Sequence, residues 1–125
     1  LCPEDKTLIY GIGVDMTEIS RVRKACEGRR FVEKVFSQRE AELYGDRPEK
    51  LAAGFAAKEA FGKALGTGVR GFSLNEVELL RDGLGRPYYE FSGRAAGIVE
   101  SAGLTAHVSV TDEGDLVTVF TVLEK

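Results

Sequence analysis

Cysteine is nearly absent. Only Cys2 and Cys26 occur, and their spacing matches no metal-ligand pattern. Both read as free thiols of a cytoplasmic protein, with one disulfide as the alternative. No apolar run reaches membrane-spanning length, and the first residues contain no signal-peptide core, so no membrane partner is expected. Basic charge is not in excess either. The formal net charge is −3, which gives no overall field for nucleic acid, and none is expected as a partner. An anionic partner must therefore be met by a local patch. His107 is the only histidine, and neither a Ser-His-Asp order nor a Cys-His pairing supports nucleophilic catalysis. Repeats, linkers and low-complexity tracts are missing too. What is present is 125 residues, 43% hydrophobic and 30% charged, enough for one compact domain. The single domain is expected over residues 1–125, with 1–7 as a flexible extension.

The patterning predicts an α+β fold, with an antiparallel sheet, one long central helix and shorter helices. "TLIYGIGVD" predicts a strand over residues 7 to 14, whose two glycines suggest close approach by another backbone or a ligand. Asp15 ends it, as a cap or a metal ligand. A short helix follows, with Thr17 as N-cap and Gly28 past its end. Two more helical pieces come next, the second opened by a Ser37/Glu40 capping box. "DRPEKLAAGFAAKEAFGKALG" is the longest helix, capped by Asp46, with Pro48 and Glu49 in its first turn and Gly66 at its end. "FSLNEVELLR", "YYEF", "AHVSVTD" and "LVTVFTVLE" predict strands, the last two joined as a hairpin. A helix from Ser92 to about Ala102 lies between the second and third.

The long helix is apolar on most sides, the mark of burial. It nevertheless carries Glu59 and Lys63, four residues apart. One reading is an i,i+4 salt bridge on a partly exposed stripe. The other is a metal or phosphate site, with Glu59 as an oxygen ligand and Lys63 neutralising an anion. Gly-Thr-Gly after the helix reads as a C-cap and turn, or as a place where phosphate meets backbone. Arg21, Arg23, Lys24, Arg29 and Arg30 form a local basic run, either a solvated face or a dock for an acidic partner.

"GIGVDMTEISRV", "FAAKEAFGKALGTG" followed by "NEVE", "GRPY" and "HVSVTDE" occur in an order and spacing that resemble holo-acyl-carrier-protein synthase, a bacterial 4′-phosphopantetheinyl transferase family. The resemblance spans nearly all of residues 8 to 124. It implies transfer of the phosphopantetheine arm of coenzyme A to a serine of apo-acyl carrier protein, leaving adenosine 3′,5′-bisphosphate. It implies Mg2+ held by Asp15 and Glu59, with Lys63 offsetting phosphate charge and Gly66 and Gly68 among the residues that bind coenzyme A. Either Glu59 or a water on the cation would accept the serine proton. It further implies a homotrimer whose sites lie between subunits, with Pro87 and His107 reaching the nucleotide from a neighbour. Arg21 matches the family's first-helix arginine, so Arg21, Arg29, Arg30 and Phe31 are expected to dock the carrier.

Two positions depart from the resemblance. Gly54 stands where the family has an arginine that helps hold a coenzyme A phosphate, and Asp112 stands where it often has a second histidine. An arginine restored at 54 is accordingly expected to tighten coenzyme A binding. The same changes keep open a degenerate nucleotide-binding module without catalysis; a second alternative, within the same class, is a transferase serving a polyketide or peptide-synthetase carrier. A structural domain that binds an acidic partner through its basic helix is the third.

Overall fold

The computed structural model describes residues 8–125. The expectations for residues 1–7 and for Cys2 lie outside the described residues. Strand β1 spans Ile9–Glu18, followed by the short helices α1 (Ile19–Ala25), α2 (Arg29–Val35) and α3 (Gln38–Tyr44). The long helix α4 is Pro48–Leu65. A 3-10 turn at Leu74–Glu76 leads into β2 (Val77–Arg81) and β3 (Pro87–Phe91). Helix α5 (Gly93–Ala102) and the strands β4 (Thr105–Glu113) and β5 (Leu116–Glu124) complete the chain.

The strands form two antiparallel sheets. One has the order β1-β5-β4, and the other pairs β2 with β3. The first strand of the chain thus lies beside the last. Val14 faces Phe120, and Ile12 faces Val122, which in turn faces His107 on β4. The hairpin between β4 and β5 turns on Gly114 and Asp115, with Gly114 at φ +60°. Glycine in the first position of a two-residue loop is the type II′ pattern.

Helix α4 lies across the inner face of the three-stranded sheet, and the close approach is backbone on backbone. A Cβ on Gly13 would stand 2.0 Å from the Ala60 carbonyl oxygen, and one on Gly11 would stand 1.9 Å from that of Ala64. Only glycine fits at either place. Val117, Val119, Thr121 and Leu123 close the same layer from β5. At the far end Phe61 is fully buried among the rings of Phe72, Tyr89 and Phe91, a burial worth about 1.5–3 kcal/mol by area alone.

Several expected boundaries shift. β1 runs on to Glu18, so Asp15 sits inside a strand, and Thr17 caps no helix but donates to Asp15 Oδ2 at 2.7 Å. Asp46 does not cap α4. That position falls to Arg47, which has no side-chain cap bond. Pairing with β5 explains the longer strand, because its partner residues Leu116–Val119 continue the ladder beyond the local pattern. The Ser37/Glu40 capping box is present as expected.

Candidate active site

The closeness of α4 to β1 decides what happens at residue 15. Side chains alternate along a strand, so Asp15 shares the inner face with Gly13 and points toward α4. There Lys63 Nζ lies 3.3 Å from Asp15 Oδ1 and donates to the Val14 carbonyl at 3.0 Å. Asp15 is 15% exposed at its side chain, whereas Lys63 is more than half exposed. Thr17 holds the other carboxylate oxygen. The salt bridge of Lys63 is therefore with Asp15, not with Glu59 four residues before it.

Glu59 lies one turn back on α4 and is half-buried. Burial pushes its carboxyl up from the ordinary carboxylate value. The Asp15 charge adds to the rise, and Lys63 opposes it. Among the described residues no side chain or amide donates a hydrogen bond to Glu59. Glu59 thus lies close enough to feel the Asp15 charge, while Lys63 sits on Asp15, which leaves a local excess of negative charge that a cation would relieve. No group of three or more His, Cys, Asp or Glu side chains suited to a metal occurs among the described residues. The pair fits a hard cation that takes one or two carboxylates and completes its shell with phosphate and water, as Mg2+ does.

The end of α4 borders this cluster. Gly66 is its left-handed C-cap at φ +85°, and its amide donates to the Lys63 carbonyl at 3.0 Å. Gly68, at φ +69°, folds back so that its amide reaches the Gly62 carbonyl at 3.0 Å. Sequence reasoning groups Asp15, Glu59, Lys63, Gly66 and Gly68, and the fold puts them at one end of α4 and the strand beneath it.

His107 and Pro87 are not brought to this cluster within one chain. His107 lies on the outer face of β4, bonded through Nε2 to Glu124 Oε1 at 2.9 Å, whereas Asp15 lies on the inner face of the same sheet. Pro87 opens β3 opposite Arg81. Arg21 is exposed on α1, and Arg29 and Arg30 are exposed on α2. Phe31 is half-buried, its ring centroid 5.9 Å from that of Phe55, so only part of it meets solvent.

Gly54 has a packing role that the sequence hides. It is buried, and a Cβ there would stand 2.8 Å from Tyr44 Cε2 and 3.2 Å from Phe36 Cε1. Any larger side chain here must displace Tyr44 or Phe36, so an arginine at 54 meets a packing cost that the sequence context does not show. Behind it lies a buried ionic network. Lys58 and Glu40 are both fully buried and meet at 2.7 Å. Glu40 also accepts from Tyr44 Oη at 3.0 Å and from the Leu79 amide at 3.0 Å. Burial pulls the Lys58 ammonium down from its ordinary value, and Glu40 opposes this. No local signal marks the pair, because its members are 18 residues apart on different helices.

Residues 11–117 match the 4′-phosphopantetheinyl transferase superfamily. The chain belongs to that superfamily and to its holo-acyl-carrier-protein synthase group. It is 42% identical to the holo-[acyl-carrier-protein] synthase of Lachnoclostridium phytofermentans, over 94% of this chain and 97% of that protein. The crystal structure of the synthase from Neisseria meningitidis superposes with a TM-score of 0.87 at 34% identity, covering 94% of this chain and all of that one. The synthase from Bacillus anthracis, solved in complex with coenzyme A (3′,5′-ADP), superposes with a TM-score of 0.76 at 30% identity over 93% and 96% of the two chains. The fold these structures share with this chain is a mixture of helices and antiparallel sheet.

Proposed function

We propose that the cluster of Asp15, Glu59 and Lys63 is the centre at which this transferase moves the 4′-phosphopantetheine arm of coenzyme A to a serine of apo-acyl carrier protein. The products are the holo-carrier and adenosine 3′,5′-bisphosphate. The observation that supports it most is the Lys63–Asp15 pair that joins α4 to β1, with Glu59 one turn back on α4 within range of the Asp15 charge.

Asp15 and Glu59 would hold Mg2+, which when bound draws charge from the phosphoryl group under attack and from the leaving bisphosphate. Thr17 and Lys63 fix the Asp15 carboxylate, so its oxygens are oriented before substrate arrives. Lys63, more than half exposed, offsets pyrophosphate charge. Gly66 and Gly68 let phosphate oxygens approach the main chain without a Cβ in the way. Glu59, with no donor of its own, is the group in the cluster able to take up the serine proton.

Assembly completes the site in this reading. The outer face of the β1-β5-β4 sheet carries exposed Ile12, Val14, Met16 and Phe120, neighbouring apolar side chains of the kind that mark an interaction surface. A homotrimer would cover it and carry His107 and Pro87 to a neighbour's nucleotide. Cys26 is a free thiol whose burial pushes it up from its ordinary value, in keeping with a reducing cytoplasm. No helix of the described residues is long and apolar enough to cross a membrane.

The test is mass spectrometry of an apo-carrier incubated with coenzyme A and Mg2+. A gain of the phosphopantetheine mass supports the reading, and a panel of fatty-acid, polyketide and peptide-synthetase carriers gives the preference. No gain with any carrier favours the non-catalytic alternative.

A further inference from the structure

Helix α1 carries exposed Arg21, yet it has no N-cap of its own. Glu18, at the cap position, makes no side-chain cap bond, and the first turn holds no acidic residue. Seven residues are too few to hold a helix in water unaided. The missing partner comes from the other end of the chain. In the β4–β5 turn, Asp115 Oδ1 accepts from the Ser20 amide at 3.0 Å, and Oδ2 accepts from Ser20 Oγ at 2.5 Å. The Asp115 carbonyl accepts from the Ile19 amide at 2.7 Å. Two open amides of the first turn are thereby satisfied by one residue that is 95 positions away from Ser20. Its charge also has the sign that a helix N-terminus favours.

We infer that Asp115 is a positioning residue for carrier recognition: by capping α1 from the β4–β5 turn, it fixes the direction in which Arg21 meets the acidic carrier protein. The inference rests on the reading of Arg21 as a docking residue. Its geometry is independent of the Asp15–Glu59 cluster, which lies on the inner face of the sheet, whereas the turn lies at the sheet's end. The turn is itself rigid, because its type II′ geometry is set by Gly114 and both flanking strands are paired up to Glu113 and Leu116. An anchor at that point ties the start of α1 to the end of the sheet, and Val22, buried in the core with residues of α4, secures the helix further along.

The experiment uses the full chain with apo-carrier, coenzyme A and Mg2+. Asp115→Ala should raise KM for the carrier roughly fivefold, the factor one lost N-cap represents, and leave KM for coenzyme A unchanged. Asp115→Asn, which keeps an acceptor, should recover most of the loss. Hydrogen exchange at the Ser20 amide, which loses its side-chain acceptor, should quicken most in the alanine variant, with the Ile19 amide following less because it keeps the residue-115 carbonyl, while β5 amides stay protected, which separates local release of α1 from unfolding. The same substitution in an Arg21→Glu background should cost nothing more. Faster exchange with an unchanged carrier KM would overturn the inference, as would an equal rise in both KM values. If Arg21→Glu alone leaves the carrier KM unaltered, the docking reading of Arg21 fails. A carrier KM that still rises with Asp115→Ala in that background would show that Asp115 acts through something other than Arg21, which also overturns the inference.

Discussion

Lys63 pairs with Asp15 across two elements, at 3.3 Å, rather than with Glu59 on its own helix. This pairing places the ammonium at the strand carboxylate, where it shields one member of the acidic pair and leaves the other without a donor. The consequence is a division of labour that substitution can reveal. Glu59→Gln and Asp15→Asn keep size and remove charge. Each should lower transfer by about a hundredfold or more, as loss of a preorganised electrostatic partner does. Neither should lower the melting temperature much, because both groups border solvent. Near-wild-type turnover of either variant at limiting Mg2+ would remove its assignment as a ligand. A collapse of thermal stability would make the role structural.

Gly54 leads to a prediction opposite to the one its sequence context suggests. The nearest atoms to an added Cβ belong to Tyr44 and Phe36, and Tyr44 cannot swing away cheaply because its hydroxyl serves Glu40 and the Leu79 carbonyl. Gly54→Arg should therefore cost about 1–3 kcal/mol or more by overpacking, read as an earlier urea midpoint. KM for coenzyme A should not improve. An unchanged midpoint with tighter coenzyme A binding would show that the arginine finds an exit beside Tyr44.

The contrast between residues 54 and 63 shows what was legible in the sequence. The motif around α4 located Glu59 and Lys63 on one helix, and the glycines of β1 announced a close neighbour. Chain spacing could not say that the neighbour was α4 itself, so the Lys63–Asp15 pair stayed hidden behind an i,i+4 reading. The extent of β1 was underestimated for a related reason. Its last residues are held by β5, more than 95 residues later, and local propensity does not carry that information. The Lys58–Glu40 ion pair and the role of Asp115 were missed because each acquires its meaning from a partner on another element. By contrast the hairpin turn and the Ser37 capping box rest on local chemistry, and they were read correctly; the α5 start at Ser92 was placed too, although Ser92 makes no side-chain cap bond and Glu76 accepts from the Arg94 amide there.

Acid should act partly through Glu76. Its carboxylate accepts from the Ser73 amide at 2.8 Å and the Arg94 amide at 3.1 Å. The Ser73 bond foremost holds it below its ordinary value; burial opposes this, and the Arg94 amide and charge add to the lowering. A depressed folded-state value means the ionised form is favoured by folding. The stabilisation is complete above the unfolded value of about 4.3 and is lost as pH falls through the lower, folded value. Glu76→Gln should thus be less stable than wild type near neutrality, and the gap should close on acidification below about pH 4. Urea midpoints of both proteins across that range give the answer. A gap independent of pH would assign the loss to hydrogen-bond geometry rather than to charge.

The outer face of the three-stranded sheet gives the test of assembly. Val14 and Phe120 are register partners there, and Met16 and Ile12 extend the strip along β1. Met16 is 64% exposed and Ile12 is 59% exposed, so covering them would recover apolar area that the single chain leaves in water. His107 shares this face and Asp15 the opposite one, so a site that uses both must combine two copies. Phe120→Glu should shift sedimentation from trimer to monomer and remove activity at the same protein concentration. A mixing experiment separates assembly from damage to the sheet. Glu59→Gln and His107→Ala proteins should each be poorly active alone. When they are unfolded together and refolded as a mixture, about a quarter of the sites in randomly assorted rings should receive both native groups from adjacent copies. Recovered activity at that level supports the shared site. If the mixture is no more active than the sum of its parts while sedimenting as a trimer, His107 has no part in a neighbour's chemistry.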